Sequence, residues 1–219
     1  MPPLLLTAAL PRPTCAGWLD AVAAAGNASL ALPALPGLDA GAVLQAIADS
    51  ALRGPLEAAL GTAPWCNVDQ SWLRHGRPPH HWHQDGALGF DFLAHRAPSP
   101  PAGALLEMLS CWIALTPCGA SAPGLEWVDA PLDRLLWPAE LTDTAVASAF
   151  APQLRGRPVM QPGDALLFDG HLLHRTHLDA TMMLPRSSLE LRFFRAGSVP
   201  PRLAGQRFVA LPDRSIALR

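Results

Sequence analysis

Near Trp65 this 219-residue chain changes its periodicity, and that change restricts the folds open to it. Upstream, apolar residues recur at helical spacings. Thr14 to Ala25 follows a Pro-Thr start with Trp18, Leu19 and Val22 on one face, and Leu38 to Leu60 carries Val43, Leu44, Ile47, Leu52, Leu56 and Leu60. Gly54-Pro55 is expected to split that second segment into two helices, because proline cannot continue the hydrogen-bond ladder. Downstream come short apolar runs punctuated by Pro and Gly: Leu109 to Leu115, Leu125 to Val128, Ala165 to Phe168 and Leu189 to Phe194. The last alternates, with Leu189, Leu191 and Phe193 on one face and Glu190, Arg192 and Phe194 on the other, whereas Ala165 to Phe168 is continuous, as in a strand buried on both faces.

Helices first and many short strands afterwards predict an antiparallel β-sandwich or jelly roll with helices packed outside. The length suits one domain, with residues 1–64 as mainly helical support, 65–195 as the β core and 196–219 as a C-terminal extension. No internal repeat interrupts this, and the Pro-rich stretches Ala97 to Gly103 and Val199 to Arg202 are expected to be loops.

Half the residues are hydrophobic, 16% are charged and the net charge is -2, which argues against disorder and offers no basic field for nucleic acid. The four cysteines, Cys15, Cys66, Cys111 and Cys118, lack C-x-x-C spacing and sit among apolar residues, so buried thiols in a reducing cytoplasm are expected rather than a zinc knuckle or disulfides. Met1 to Leu10 is apolar but lacks a positive start, and Pro2, Pro3 and Pro11 bracket it; no stretch reaches transmembrane length. A cytoplasmic protein with no membrane partner and a small-molecule substrate is the expectation, its oligomeric state open.

Five of the eight histidines fall into two knots, His80, His81 and His83 in P-P-H-H-W-H-Q-D-G and His171 and His174 in F-D-G-H-L-L-H-R, with His177 just after. On an extended strand His83 and Asp85, two residues apart, project from one face, where an imidazole and a carboxylate can grip one side of a metal ion. His174 follows a turn and a buried strand, and is expected near that strand's end, where a neighbouring strand could bring it against His83 and Asp85. Two His and one carboxylate on one face leave coordination positions open, the arrangement used by non-haem Fe(II) oxygenases.

W-H-Q-D-G at Trp82 to Gly86, C-W-I-A-L at Cys111 to Leu115, G-D-A-L-L-F-D-G-H-L-L-H-R at Gly163 to Arg175 and P-R-S-S-L-E-L-R-F at Pro185 to Phe193 together resemble the phytanoyl-CoA dioxygenase-like branch of Fe(II)/2-oxoglutarate-dependent oxygenases. The resemblance spans roughly residues 65 to 195. It implies a double-stranded β-helix, the cupin-like jelly roll, with Fe(II) held by His83, Asp85 and His174, and 2-oxoglutarate and O2 as co-substrates. It further implies an Arg for the distal carboxylate of 2-oxoglutarate. Arg186, twelve residues past His174, is the first choice, because a guanidinium fork matches a carboxylate and Ser188 can add a hydrogen bond. Arg192 is the alternative, its other role being a structural ion pair; Thr176 and Gln84 could also reach the co-substrate. The implied activity is hydroxylation of an unactivated C–H of a small organic molecule, with 2-oxoglutarate and O2 converted to succinate and CO2. A carboxylate at Asp85, where related halogenases carry a small residue, favours hydroxylation, with desaturation and ring closure left open. After Val128 the chain reads D-A-P-L-D-R-L-L-W in place of the family's Pro-Gly-Ser-His-like turn, so the loops that choose the substrate do not transfer.

Two other readings share these residues. His81, His83 and Asp85 form H-x-H-x-D, part of the signature of metallo-β-lactamase-like zinc hydrolases, although Gly86 stands where a His is expected. A non-catalytic cupin-like metal-binding module is the third. His171 and His177 are expected off the ligand face, His80 and His81 in a solvent-facing loop, Trp72, Trp82, Trp112 and Trp127 in the core, and Asp169 as a turn residue.

Overall fold

The structure is a computed structural model that describes residues 1–25, 29–35, 37–77, 79–95, 101 and 103–214. Most of the Pro-rich stretch at 97–103 and the last five residues of the expected extension lie outside that set.

Two antiparallel sheets build the body, with strands numbered in chain order. The larger runs β1 (Leu4–Leu6), β9 (Ala165–Asp169), β6 (Leu109–Ala114), β11 (Arg186–Phe194), β3 (Trp65–Asn67) and β12 (Phe208–Ala210); β4 (Trp72–Gly76) also pairs with β11, and β2 (Leu30–Ala31) with β4. The smaller runs β5 (His83–Gln84), β10 (Leu173–His177), β7 (Gly124–Val128) and β8 (Arg155–Gly156). The four expected strands are all present. The continuous apolar runs of β6 and β9 fit central strands that bury side chains on both faces.

One face of the large sheet meets helices. Cys111, Ile113, Ala165, Leu167, Leu189, Leu191 and Phe193 cluster with Leu44, Ile47, Leu52 and Leu56. Complete burial of each large side chain there contributes about 1.5–3 kcal/mol. The other face meets the small sheet, where Trp112, Ala114, Leu166 and Phe168 pack against Leu125. Because side chains alternate along a strand, β11 sends Arg186, Ser188, Glu190 and Arg192 to this inter-sheet side. The far face of the small sheet is closed by α4 (Asp143–Ala149), with Val146 and Leu136 packed on Trp82, Val128 and Leu173.

The helical segment differs from expectation in one detail. After α1 (Arg12–Ala25) come α2 (Ala40–Ala48) and α3 (Arg53–Leu60), so the break lies at 49–52 and Gly54-Pro55 sit inside α3. Proline is tolerated in a first turn, whose N–H groups have no helical partner. The break is made instead by Ser50, whose hydroxyl donates to the Ile47 carbonyl at 2.7 Å and accepts from the Leu52 amide at 3.1 Å. The apolar N-terminus is an edge strand rather than part of the helical support: Leu4 to Leu6 pair with Leu167 to Ala165. The expected extension likewise returns to the sheet, with β12 on β3.

Among the described residues, no helix is long and apolar enough to cross a membrane. All four cysteines are free and buried. Burial pushes the Cys66 thiol up to about 12 and the Cys118 thiol up to about 11, so they stay protonated.

Candidate metal centre

β5 and β10 are neighbours in the small sheet, with His174 directly opposite His83, and their rings lie 4.2 Å apart between centroids. Asp85 begins a short 3-10 turn at Asp85–Ala87, directly after β5. One atom from each of His83, Asp85 and His174 falls within a mutual 4.8 Å, close enough to share one ion, and no other such group occurs among the described residues. Two expectations are corrected in detail. Asp85 reaches the His83 face from a turn rather than along a common strand, and His174 stands on a strand of its own after the turn that ends β9.

Backbone carbonyls orient both imidazoles. His83 Nδ1 lies 2.7 Å from the His81 carbonyl and His174 Nδ1 lies 3.0 Å from the Leu172 carbonyl. A carbonyl only accepts, so each Nδ1 carries the hydrogen and each Nε2 keeps its lone pair for a metal, the arrangement typical of ligating histidines. Burial, reinforced by His83, lowers His174 to about 4, so its ring is neutral at ordinary pH.

Asp85 is 8% exposed. Its Oδ1 accepts from Arg192 Nη2 at 3.0 Å, and its Oδ2 accepts from the Ser110 hydroxyl in a short bond. Burial opposes the charge on Asp85, but Arg192 and the two histidines outweigh it and hold the carboxyl well below its usual range.

Arg186 presents the opposite case. It is 3% exposed and lies over the Trp112 ring at 5.4 Å; it donates to the Gly124 carbonyl at 2.9 Å and to the Thr176 hydroxyl at 3.4 Å. Among the described residues no carboxylate lies within ion-pair distance of it. Close by in the fold, the Ser188 hydroxyl and Trp112 Nε1 are buried without a hydrogen-bond partner among the described residues. A buried guanidinium and two orphaned polar atoms are what a buried carboxylate ligand would satisfy. Arg186 and Trp112 line a small cavity whose walls also include His83, Asp85, His174, Thr176 and Phe168.

His83, Asp85, His174, Arg186 and Thr176 therefore line one cavity. Ser188 shares the inward face of β11 with Arg186. Gln84 does not join them: its amide nitrogen donates to the carbonyls of Arg134 and His171, each at 3.0 Å, and its oxygen accepts from the Leu136 amide at 2.8 Å. It pins the 132–137 loop, and it alternates away from His83 along β5 as pleating requires. Arg192 takes the structural role, on Asp85. His80, expected in solvent, lines the cavity, and its backbone N–H donates to the Thr176 hydroxyl at 3.1 Å. His81 is exposed and outside the triad, so the zinc-hydrolase pattern is not assembled. His171 Nδ1 donates to the Leu132 carbonyl at 2.8 Å, His177 faces Asp179, and Asp169 accepts the His171 amide at 3.1 Å as a turn residue. Trp82 and Trp112 are core, Trp112 also forming cavity wall, while Trp72 and Trp127 are only half-buried.

Sequence reasoning missed three contributors: Ser110, Glu190 with its partner Arg74 at 2.7 Å, and the glycines after each aspartate. The Gly86 amide donates to the Gly170 carbonyl at 2.9 Å, and a Cβ on Gly86 would meet that oxygen at 2.7 Å. The Asp-Gly step common to both histidine knots is the visible trace of this crossing.

No family model matches the chain, and no curated protein matches it in sequence. Solved structures do share its fold. The non-heme alpha ketoglutarate dependent carbocyclase SnoK from nogalamycin biosynthesis aligns with a TM-score of 0.60 at 16% identity, covering 89% of this chain and 79% of that one. EctD from S. alaskensis with bound Fe aligns with a TM-score of 0.65 at 18% identity, over 97% and 83%. The alpha ketoglutarate dependent epimerase SnoN aligns with a TM-score of 0.59 at 17% identity, over 89% and 78%.

Proposed function

We propose that this chain is an Fe(II)/2-oxoglutarate-dependent oxygenase of the phytanoyl-CoA dioxygenase-like kind, built on a jelly-roll core, that hydroxylates a C–H bond of a small organic molecule. The observation that carries the reading is the buried Arg186, without a carboxylate partner among the described residues, in the same cavity as His83, Asp85 and His174. The fold likeness supports it, since SnoK and SnoN are described as alpha ketoglutarate dependent and EctD has been solved with 2-oxoglutarate and 5-hydroxyectoine.

His83, Asp85 and His174 would hold the iron, which when bound supplies the activation of O2 against an inert C–H bond. Arg186, with Ser188 and Thr176, would bind the distal carboxylate of 2-oxoglutarate; the Trp112 indole N–H is a further donor there. Phe168, Trp112 and Leu125 make the inner wall apolar and exclude water, which protects the reaction from wasteful turnover. The low overall charge and the apolar inner wall of the cavity suit a small organic substrate, and four free buried thiols suit the cytoplasm.

The protein loaded with Fe(II) should convert 2-oxoglutarate to succinate with consumption of O2, and Asp85→Gly and His174→Ala should abolish this. Succinate formation no faster than in those variants would refute the reading, and full activity in Asp85→Gly would remove Asp85 from the ligands.

A further inference from the structure

Arg186 and Arg192 stand six residues apart on the inward face of β11 and are both nearly sealed from solvent, yet only Arg192 has a carboxylate. That carboxylate is Asp85. Its Oδ1, the oxygen 3.7 Å from His83 Nε2, accepts from Arg192 at 3.0 Å. A second bond holds the guanidinium in place, since Nη1 also donates to the Gln70 carbonyl in a short bond.

We propose that Arg192 is a resident counter-cation of the metal centre, a positioning residue that neutralises and aims Asp85 in the metal-free protein and thereby lowers the affinity of the site for a divalent ion. The inference rests on the metal-centre reading above. Without Arg192 the metal-free protein would bury the Asp85 carboxylate with the Ser110 hydroxyl as its donor but without the guanidinium counter-charge, which is strongly unfavourable. With it, the site is built before metal arrives, but an incoming divalent ion must share one carboxylate with a fixed guanidinium. The nearby Glu190 does not relieve this repulsion fully, being paired with Arg74.

Two effects of removing Arg192 oppose each other, and their signs differ. Losing a group that only orients a ligand typically weakens metal binding by about 10–100-fold. Losing a positive charge a few ångströms from the ion should strengthen it, and Coulomb's law at an effective dielectric of about 20 makes this the larger effect.

The test is Co(II) affinity, read from the absorbance of the bound ion under anaerobic conditions, together with thermal unfolding with and without Co(II). It compares the unmodified protein with Arg192→Gln, which keeps a donor but not the charge, and Arg192→Lys, which keeps the charge. The expected result is a Gln variant with a lower metal-free Tm, a Kd for Co(II) smaller by roughly 10-fold or more, and a larger Tm gain on Co(II) addition, against a Lys variant of near-original affinity. If Arg192→Gln does not fold alone, refolding in Co(II) should recover it, and failure there would overturn the proposal. Unchanged or weaker Co(II) binding in a folded Gln variant would also overturn it, leaving Arg192 purely structural. No Co(II) binding by the folded, unmodified protein would refute the metal centre itself, and the inference with it.

Discussion

Arg186 and Arg192 differ by what already occupies them, and that difference assigns their work. Arg186→Ala should weaken 2-oxoglutarate binding by about 100-fold, the worth of one or two charge-assisted hydrogen bonds, while leaving Co(II) affinity within about threefold. Equal loss of both in a titration would contradict a separate anchor. The spacing from His174 placed Arg186 first but could not settle the choice, because Arg192 finds its partner across more than a hundred residues of chain. The role of Gln84 is hidden from the sequence for the same reason. Its neighbours 132–137 are distant in sequence, and only the fold shows three hydrogen bonds consuming its amide. Gln84→Ala should therefore cost about 1–3 kcal/mol in urea unfolding while the 2-oxoglutarate affinity stays within about threefold.

At the scale of elements, the site depends on two loops crossing at Gly86 and Gly170. Gly86→Ala would press a methyl group to 2.7 Å from the Gly170 carbonyl oxygen and 2.9 Å from Leu105 Cδ2, one residue from Asp85. The expected outcome is a loss of about 1–3 kcal/mol in stability together with weaker Co(II) binding; unchanged affinity would show that the turn carrying Asp85 is not held by this crossing. The long strands were legible from their apolar runs, and the alternation of β11 separated Leu189, Leu191 and Phe193 from Glu190 and Arg192. β5, β12 and β2 were not, since two or three residues carry no period and are fixed only by pairing. The helix break was displaced from Gly54-Pro55 because a proline in a first turn breaks nothing, whereas the Ser50 hydroxyl supplies its own stop.

Across the whole molecule, a large sheet divides an apolar helix-facing side from a charged inter-sheet side, and this gives the fold a pH signature. Burial, aided by Arg74 for His80 and by His83 for His174, lowers both imidazoles from 6.5 to about 4. Between those values the unfolded chain binds protons that the folded one refuses, so metal-free stability should be full above pH 6.5 and should fall as pH drops toward 4. Urea midpoints measured from pH 7.5 to 5 would show the decline, and His80→Asn should make it shallower; a flat profile would contradict burial of these rings. The measurement that bears most directly on the central claim is anaerobic titration of the metal-free protein with Fe(II) and then 2-oxoglutarate, following the visible charge-transfer band produced when a 2-oxo acid chelates Fe(II). A band that is lost in His174→Ala and needs far more 2-oxoglutarate in Arg186→Ala is the predicted result. Protein that binds Fe(II) yet shows no band at saturating 2-oxoglutarate would contradict it.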